Sequence, residues 1–272
     1  MRDVALATVR QLLLFATLLV PLEILAPARA QRFFRRGWTT DLTWFALSPL
    51  LVGFGATILL ALLGSTIGAL LPERMRALLQ AQPWAVQLAE ILLVSEIGGY
   101  WVHRWSHRAR WLWRFHAVHH SVEELDWLAA HRQHPLEAVW LLGVANLPVL
   151  VLGFSVEALW GFVLFQKLYT AFLHSNVRLG FGRFGWLLAS PRFHHWHHDG
   201  DAPINGGRTH NFASFFPWLD VLWGTYRVPD GEFPARYGCD EPVGQTWLAQ
   251  LAHPFRIAPA TNCRIHRAPG SR

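Results

Sequence analysis

Three histidine motifs have spacings that place several imidazole rings on one side of a helix. The chain contains 15 histidines, and twelve of them lie between His103 and His198. Helix positions i, i+3 and i+4 share a face, so each motif can direct its rings to one side. Neutral imidazole is a ligand for zinc, copper, iron and nickel. The motifs HxxxH, HxxHH and HxxHH consist of His103 and His107; His116, His119 and His120; and His194, His197 and His198.

Eight histidines are more ligands than one metal ion can use, so the motifs together predict two metal ions. HxxxH alone is common by chance. Two HxxHH motifs, each beside an apolar segment, favour a metal site over a basic patch that contacts lipid phosphates. We interpret His131 and His195 as neighbours of the site, and His210, His253 and His266 as surface or core residues.

Long apolar segments must position these motifs. Of the 272 residues, 52% are hydrophobic and 15% are charged, whereas about 25% are charged in a typical soluble domain. This composition excludes a disordered chain and disfavours a cytosolic enzyme. It predicts an all-α bundle of about four to five membrane-spanning helices with a histidine-rich metal cap on the cytoplasmic side. The predicted spans are 11–26, 44–71 and 84–101, and a hairpin of 138–152 and 156–173 interrupted near Gly153-Phe154-Ser155.

The distribution of arginine predicts how the chain is oriented. The net charge is +6, and Lys167 is the only lysine. Arginines concentrate between the first and second spans, after the third span and after the last span, and such residues favour the cytoplasmic side. We expect an integral, multi-pass protein of a bacterial inner membrane, with its N-terminus outside and its metal site and C-terminus inside. Since the arginines flank apolar segments, nucleic-acid binding is not expected.

The first apolar segment has a second interpretation. Arg2, the apolar stretch after it and Ala28-Arg29-Ala30 resemble a cleaved signal peptide. Cleavage would leave four spans and would place the histidines outside, which the arginine distribution disfavours. Cys239 and Cys263 are too few and too far apart to predict a zinc motif or a disulfide framework.

The amino-acid sequences of the motifs resemble those of a known family. YWVHRWSH, WRFHAVHHS and PRFHHWHH are similar to the three histidine boxes of the fatty acid hydroxylase superfamily, also called the sterol desaturase family. HRQHPLEA, FLHSN and WLDVLWGTY resemble further segments of that family, and the likeness covers about 95–226. We therefore divide the chain into membrane spans at 1–83, a catalytic domain at 84–228 and a C-terminal cytoplasmic tail at 229–272.

The resemblance implies a membrane enzyme that uses two iron ions and O2 to hydroxylate or desaturate a lipid, such as a fatty acyl chain, a sterol or a related isoprenoid. Zinc could replace iron in purified protein. The resemblance assigns the eight motif histidines as iron ligands and adds His174 as the family's isolated ligand. His134 matches a His-Pro position that ligates or supports a ligand. Thr170 stands where the fatty acid 2-hydroxylase branch has a histidine, which disfavours that branch.

Such a reaction also needs an electron donor and partners for the imidazole N–H groups. The sequence has no Rossmann fingerprint, haem motif or cysteine cluster, so we expect a separate ferredoxin-like or cytochrome b5-like donor at the arginine-rich face. Glu90 and Glu96 lie within a predicted span, where they could face the metals or a partner helix. Candidate N–H acceptors, for which a solvated or capping role fits equally well, are Glu123, Glu124, Asp126, Asn176, Asp199 and Asp220.

The residue types leave two other functions open. A membrane zinc hydrolase would use the same imidazole ligands, because the spacing does not identify the metal. A metal transporter would need polar groups deep in several spans, whereas segment 44–71 carries no charge in its apolar part. Oxygen and reductant dependence distinguishes the hydrolase from an oxygenase, and metal flux identifies a transporter.

Overall fold

The computed structural model describes residues 2–67, 71–201 and 210–256, and within these ranges the chain is built from helices and turns. The predicted all-α class is confirmed for this part of the chain. Three short 3₁₀ turns cover Trp127–His131, Gly182–Phe184 and His253–Phe255. The α-helices are α1 Arg2–Leu25, α2 Trp38–Ile67, α3 Glu73–Gln80, α4 Trp84–Arg108, α5 Arg110–His120, α6 Pro135–Ala145, α7 Leu147–Leu152, α8 Val156–His174, α9 Pro191–His197, α10 Trp218–Leu222 and α11 Trp247–Ala252.

Two of the described helices, α1 and α4, are long and apolar enough to cross a bilayer by length and composition. Helix α4 extends beyond the predicted span 84–101, so the first two motif histidines belong to the same helix. The predicted span 44–71 lies mainly in α2, and its residues 68–70 fall outside the described ranges.

The predicted hairpin needs one correction. Segment 138–152 is two helices, because α6 ends at Ala145 and α7 begins at Leu147. Pro148 explains the break, since proline has no N–H to donate to the preceding turn and its ring clashes with that turn's carbonyl. The predicted interruption after 152 is present. Gly153 has a φ of +69°, and the Ser155 hydroxyl accepts a hydrogen bond from the N–H of Ala158 at the start of α8.

The helices that carry histidines pack together through abrupt chain reversals. Ala109 has an extended backbone (φ −87°, ψ 115°) and separates α4 from α5, so α5 folds back against the end of α4. Helix α8 ends at His174 and contacts α9. The structure thereby brings the ends of α4 and α5 together with the ends of α8 and α9, which follow much later in the chain.

The described part of the predicted C-terminal tail, 229–256, is folded onto the helices. The indole N–H of Trp44 in α2 donates to Oε1 of Gln250 in α11 at 2.6 Å, and both side chains are buried. The Thr40 hydroxyl donates to the carbonyl of Gln245 at 2.8 Å. This segment therefore covers the outer side of α2.

Close packing of α4 on α6 predicts a sharp difference between two adjacent glycines. A Cβ on Gly98 would lie 2.5 Å from the Ala145 carbonyl oxygen, whereas a Cβ on Gly99 would meet no atom within 4 Å. We expect Gly98→Ala to lower the free energy of unfolding by about 1–3 kcal/mol through overpacking. Gly99→Ala should be neutral or slightly stabilising. Thermal unfolding in detergent measures both, and equal melting temperatures would contradict the packing.

Candidate metal centre

Nine histidines form two adjacent groups at the ends of α4, α5, α8 and α9. Within each group the potential ligand atoms all lie within 4.8 Å of one another. All nine rings are buried except that of His103, which is half-buried. The first group has five members, His103, His107, His116, His120 and His197, and the second has four, His119, His174, His194 and His198. The structure thus brings together the eight motif histidines and His174.

Two helical segments, α5 and α9 with the residue after it, each contribute histidines to both groups. On α5, His116 and His120 join the five-histidine group while His119 joins the four-histidine group. On α9 and the residue after it, His197 joins the first group, whereas His194 and His198 join the second. The rings of His120 and His198, one from each group, stack with centroids 4.4 Å apart. The two groups are therefore parts of one centre.

The Nε2 atoms converge at separations typical of ligands on one metal ion. A metal–imidazole bond is about 2.0–2.1 Å long, so two ligands at right angles are about 3.0 Å apart. The observed Nε2–Nε2 distances are 2.9–3.2 Å: His107–His116 2.9 Å, His116–His120 3.1 Å, His120–His197 3.0 Å, His119–His174 3.1 Å, His174–His194 3.0 Å and His194–His198 3.2 Å.

The pair His119 and His174 tests whether protein alone satisfies these atoms. Nδ1 of His119 faces the carbonyl oxygen of Arg132 at 3.1 Å, and Nδ1 of His174 faces that of Thr170 at 2.8 Å. A carbonyl only accepts, so each neutral ring carries its proton on Nδ1. The two Nε2 atoms then meet as bare lone pairs. Burial lowers the pKa of His119 to about 3, which disfavours a second proton on that ring. A metal cation fits this arrangement.

Other Nδ1 atoms are held in the same way, which fixes the orientation of the rings. The ring of His103 donates to the Phe212 carbonyl at 2.8 Å, and that of His197 donates to the His210 carbonyl at 2.9 Å. His116 differs, since its Nδ1 lies 2.5 Å from Oε1 of Glu137. Five of the nine rings in the two groups are therefore already oriented by a hydrogen bond through Nδ1.

This centre lies inside a segment that matches a known family. The sequence profile described as fatty acid hydroxylase matches residues 88–225, half of the chain, and includes all nine histidines. The chain belongs to the fatty acid hydroxylase family. The resemblance predicted from the histidine motifs is confirmed, and the two apolar helices in a member of this family indicate association with a membrane.

Three relatives with known names illustrate the range of the family. Ornithine lipid hydroxylase OlsE of Rhizobium tropici is 32% identical over 64% of this chain and 51% of its own length. Alkylglycerol monooxygenase of Xenopus tropicalis is 26% identical, over 63% and 37% of the two chains. Methylsterol monooxygenase 1-3 of Arabidopsis thaliana is 26% identical, over 52% and 49%. The chain thus spans about half or less of these relatives, and no solved structure is significantly similar to it.

The other predicted residues lie around the two histidine groups. His134 is outside both groups, because its Nε2 donates to the Leu251 carbonyl and its Nδ1 accepts from the Leu136 N–H. His195 also lies outside them, with its ring nitrogens on the Ser175 carbonyl and the Tyr237 hydroxyl.

The six predicted acidic and amide acceptors form hydrogen bonds with other parts of the protein. In the described ranges, none of the six is hydrogen-bonded to one of the nine rings. Asp220 acts indirectly, because it accepts from the N–H groups of Phe212 and Ala213, next to the carbonyl that His103 uses. Glu96 accepts from three consecutive N–H groups, those of Ser214, Phe215 and Phe216. Glu90 accepts from the side-chain amide of Gln82 at 3.1 Å.

Glu137 and Arg132 are among the residues that contact the nine rings and that the sequence motifs do not identify. Glu137 accepts from His116, and the Arg132 carbonyl accepts from His119. Both belong to the HRQHPLEA segment, which draws attention to its histidines. The acceptor on Arg132 is its main-chain carbonyl, and a main-chain acceptor cannot be identified from the residue type.

A buried network of charges holds Arg132 in place. Asp41 in α2 accepts from Arg132 Nε at 2.5 Å, from Arg132 Nη2 at 3.0 Å and from Arg35 at 2.7 Å. Arg35 also pairs with Asp126, and all four side chains are buried. Two arginines and two aspartates balance in charge, and the bidentate geometry compensates for their desolvation. The network therefore ties α2 to the main chain that orients His119.

Loss of the central carboxylate should be costly. Asp41→Asn leaves two buried guanidinium groups with half of their countercharge, so we expect the free energy of unfolding to fall by about 3–5 kcal/mol. Glu123→Gln is the matched control, because Glu123 pairs with Arg36 at 2.8 Å on the surface, where a pair contributes about 0–1 kcal/mol. Tryptophan fluorescence during unfolding in detergent measures both variants. Similar losses in the two would contradict the role given to the network.

Proposed function

We propose that this family member is a membrane-bound, O2-dependent oxidoreductase that hydroxylates a lipid with two iron ions held by the nine grouped histidines. The observation that carries this proposal is the contact between the Nε2 lone pairs of His119 and His174, which a protein without a cation leaves unfavourable. The split into five and four ligands supports two ions. Iron supplies the activation of O2 that breaks an unactivated C–H bond.

The names of the relatives support lipid hydroxylation. They are a hydroxylase of ornithine lipid and monooxygenases of alkylglycerol and methylsterol. The shared feature of these names is an apolar molecule that receives oxygen, and we infer the same class of substrate here. Hydroxylation is preferred over desaturation because the relatives carry the names of hydroxylases and monooxygenases.

The chain's own residues orient the ligands and exclude water. The Nδ1 bonds to main-chain carbonyls fix the rings of four histidines, so these rings would need little reorganisation on binding a metal ion. They are His103, His119, His174 and His197. Eight of the nine rings are buried, which limits access of bulk water. An amphipathic substrate would reach the centre from the bilayer, with its polar part at the interface.

We further propose that the protein crosses the membrane four or five times and has the centre on the cytoplasmic side. Retention of α1 is supported by its contacts with the catalytic domain, because Glu23 accepts from the N–H groups of Trp127 and Asn176 at 2.8 and 2.9 Å. Phe15 and Leu19 of α1 are also buried. Cleavage of α1 as a signal peptide would remove these contacts.

We propose that the electrons come from a separate donor. Arg108 and Arg110 are exposed on either side of the turn between α4 and α5. Helix α4 also carries His103, the one ring of the nine that is half-buried. An acidic ferredoxin-like or cytochrome b5-like carrier would find complementary charge at this turn.

Substitution of two adjacent buried histidines tests whether a histidine binds metal or is only buried. His194 has its Nε2 3.0 Å from that of His174, whereas His195 is equally buried and points to Ser175 and Tyr237. We expect His194→Ala to lose at least one of two bound metal ions, and His195→Ala to keep both. The number of metal ions per chain, measured by mass spectrometry on monodisperse purified protein, tests this difference. Equal metal content in the two variants would contradict the assignment of His194.

Activity is tested by lipid analysis. Cells that express the wild-type chain should contain a lipid with one additional oxygen that is missing from cells expressing His119→Ala or His197→Ala, one variant for each group. The variants should remain in the membrane fraction. In purified membranes the product should require both O2 and a reductant. Turnover without O2 would favour a zinc hydrolase, and metal flux into sealed vesicles would favour a transporter.

A further inference from the structure

The carboxylate of Glu137 is buried against a ring of the metal centre and lacks a cationic partner. Its Oε1 accepts from Nδ1 of His116 at 2.5 Å, and both side chains are almost fully buried, at 2% and 3% exposure. Within the described ranges, its Oε2 is buried and has no hydrogen-bond partner. A buried carboxylate with one oxygen unsatisfied is costly unless a positive charge lies nearby. No lysine or arginine of the described residues forms an ion pair with it.

The charge balance of the centre supplies a reason for this carboxylate. Nine neutral imidazoles carry no net charge, so two divalent ions would bring four positive charges into a buried site. Among the described residues, Glu137 is the one carboxylate that is hydrogen-bonded to any of the nine rings. A carboxylate behind a ligating histidine increases the basicity of that ligand and fixes its orientation. In the four-histidine group, main-chain carbonyls accept from His119 and His174, and no carboxylate among the described residues is hydrogen-bonded to its rings.

We propose that Glu137 acts as an anionic positioning residue for the five-histidine group, compensating through His116 the charge of the metal ion bound there. This inference rests on the metal centre proposed above. It makes the two ions inequivalent, since one is supported by a carboxylate and the other only by neutral groups. The ion in the five-histidine group is therefore the more tightly bound, and its trivalent state is stabilised relative to its divalent state.

Glu137→Gln tests the charge without changing the shape. Glutamine keeps an oxygen that can accept from His116 and removes the negative charge. Anaerobic titration of the metal-stripped, full-length protein with ferrous iron should give two bound ions in the wild type. In the variant we expect about 10–100-fold weaker binding of one ion and unchanged binding of the other. The midpoint potential of one ion should also become more positive, because a negative charge has been removed.

Glu157→Gln is the matched control. Glu157 is exposed and lies in the first turn of α8, just as Glu137 lies in the first turn of α6. Both substitutions remove one charge from the positive end of a helix. Only Glu137 contacts a ring of the centre, so the control should bind both ions as the wild type does and should keep both potentials.

Several outcomes would overturn the inference, and they differ from failure of the proposed function. Two normally bound ions and unchanged potentials in Glu137→Gln would leave the metal centre intact and would refute the role of the charge. The same would follow if Glu137→Ala weakened binding and Glu137→Gln did not, because orientation alone would then suffice. A wild-type chain that binds no iron would overturn both proposals. Should the glutamine variant fail to fold, Glu137→Asp must bind iron more tightly than Glu137→Ala, and equal binding would refute the inference.

Discussion

The structure depends on the close approach of unprotonated imidazole Nε2 atoms in a buried space. Main-chain carbonyls hold the protons of His119 and His174 on Nδ1, so their Nε2 atoms face each other without a proton between them. Such an arrangement is unfavourable alone and becomes favourable around a cation. The helix ends, the chain reversals and the network around Asp41 all serve to keep these rings in place. Several contacts that fold the domain therefore also hold these rings in position.

The histidines that the motifs single out lie together in the structure, whereas the residues that hold their rings could not be predicted from the sequence. The spacing of His116, His119 and His120 shows which rings can share a helix face, since the α-helical repeat is a local property. It does not show that neighbouring rings belong to different groups, because that depends on how α5 packs against α4 and α9. The family resemblance added His174, which has no periodic partner nearby. The main-chain acceptors could not be predicted, because every residue has a carbonyl.

The fold was predicted at the level of class and apolar segments. The break between α6 and α7 at Pro148 is a local signal that the apolar run concealed. The contacts of 229–256 with α2 depend on tertiary packing, and polar composition alone favours a solvated tail. Glu23 lies within the apolar segment 11–26, and Asp41 lies just before the segment 44–71. The apolar pattern therefore does not predict the contacts of either carboxylate. They prove to be polar ties between the first two helices and the catalytic domain.

The interleaving of the two groups along α5 has a geometric consequence. His119 and His120 are consecutive residues, yet their rings serve opposite halves of the centre. The rise and rotation between adjacent residues of a rigid helix thus contribute directly to the separation of the two halves. A bridging carboxylate could adjust that distance by a rotamer change, but a helix cannot. Tilting or unwinding α5 would displace histidines of both groups at once, so the two groups cannot move independently.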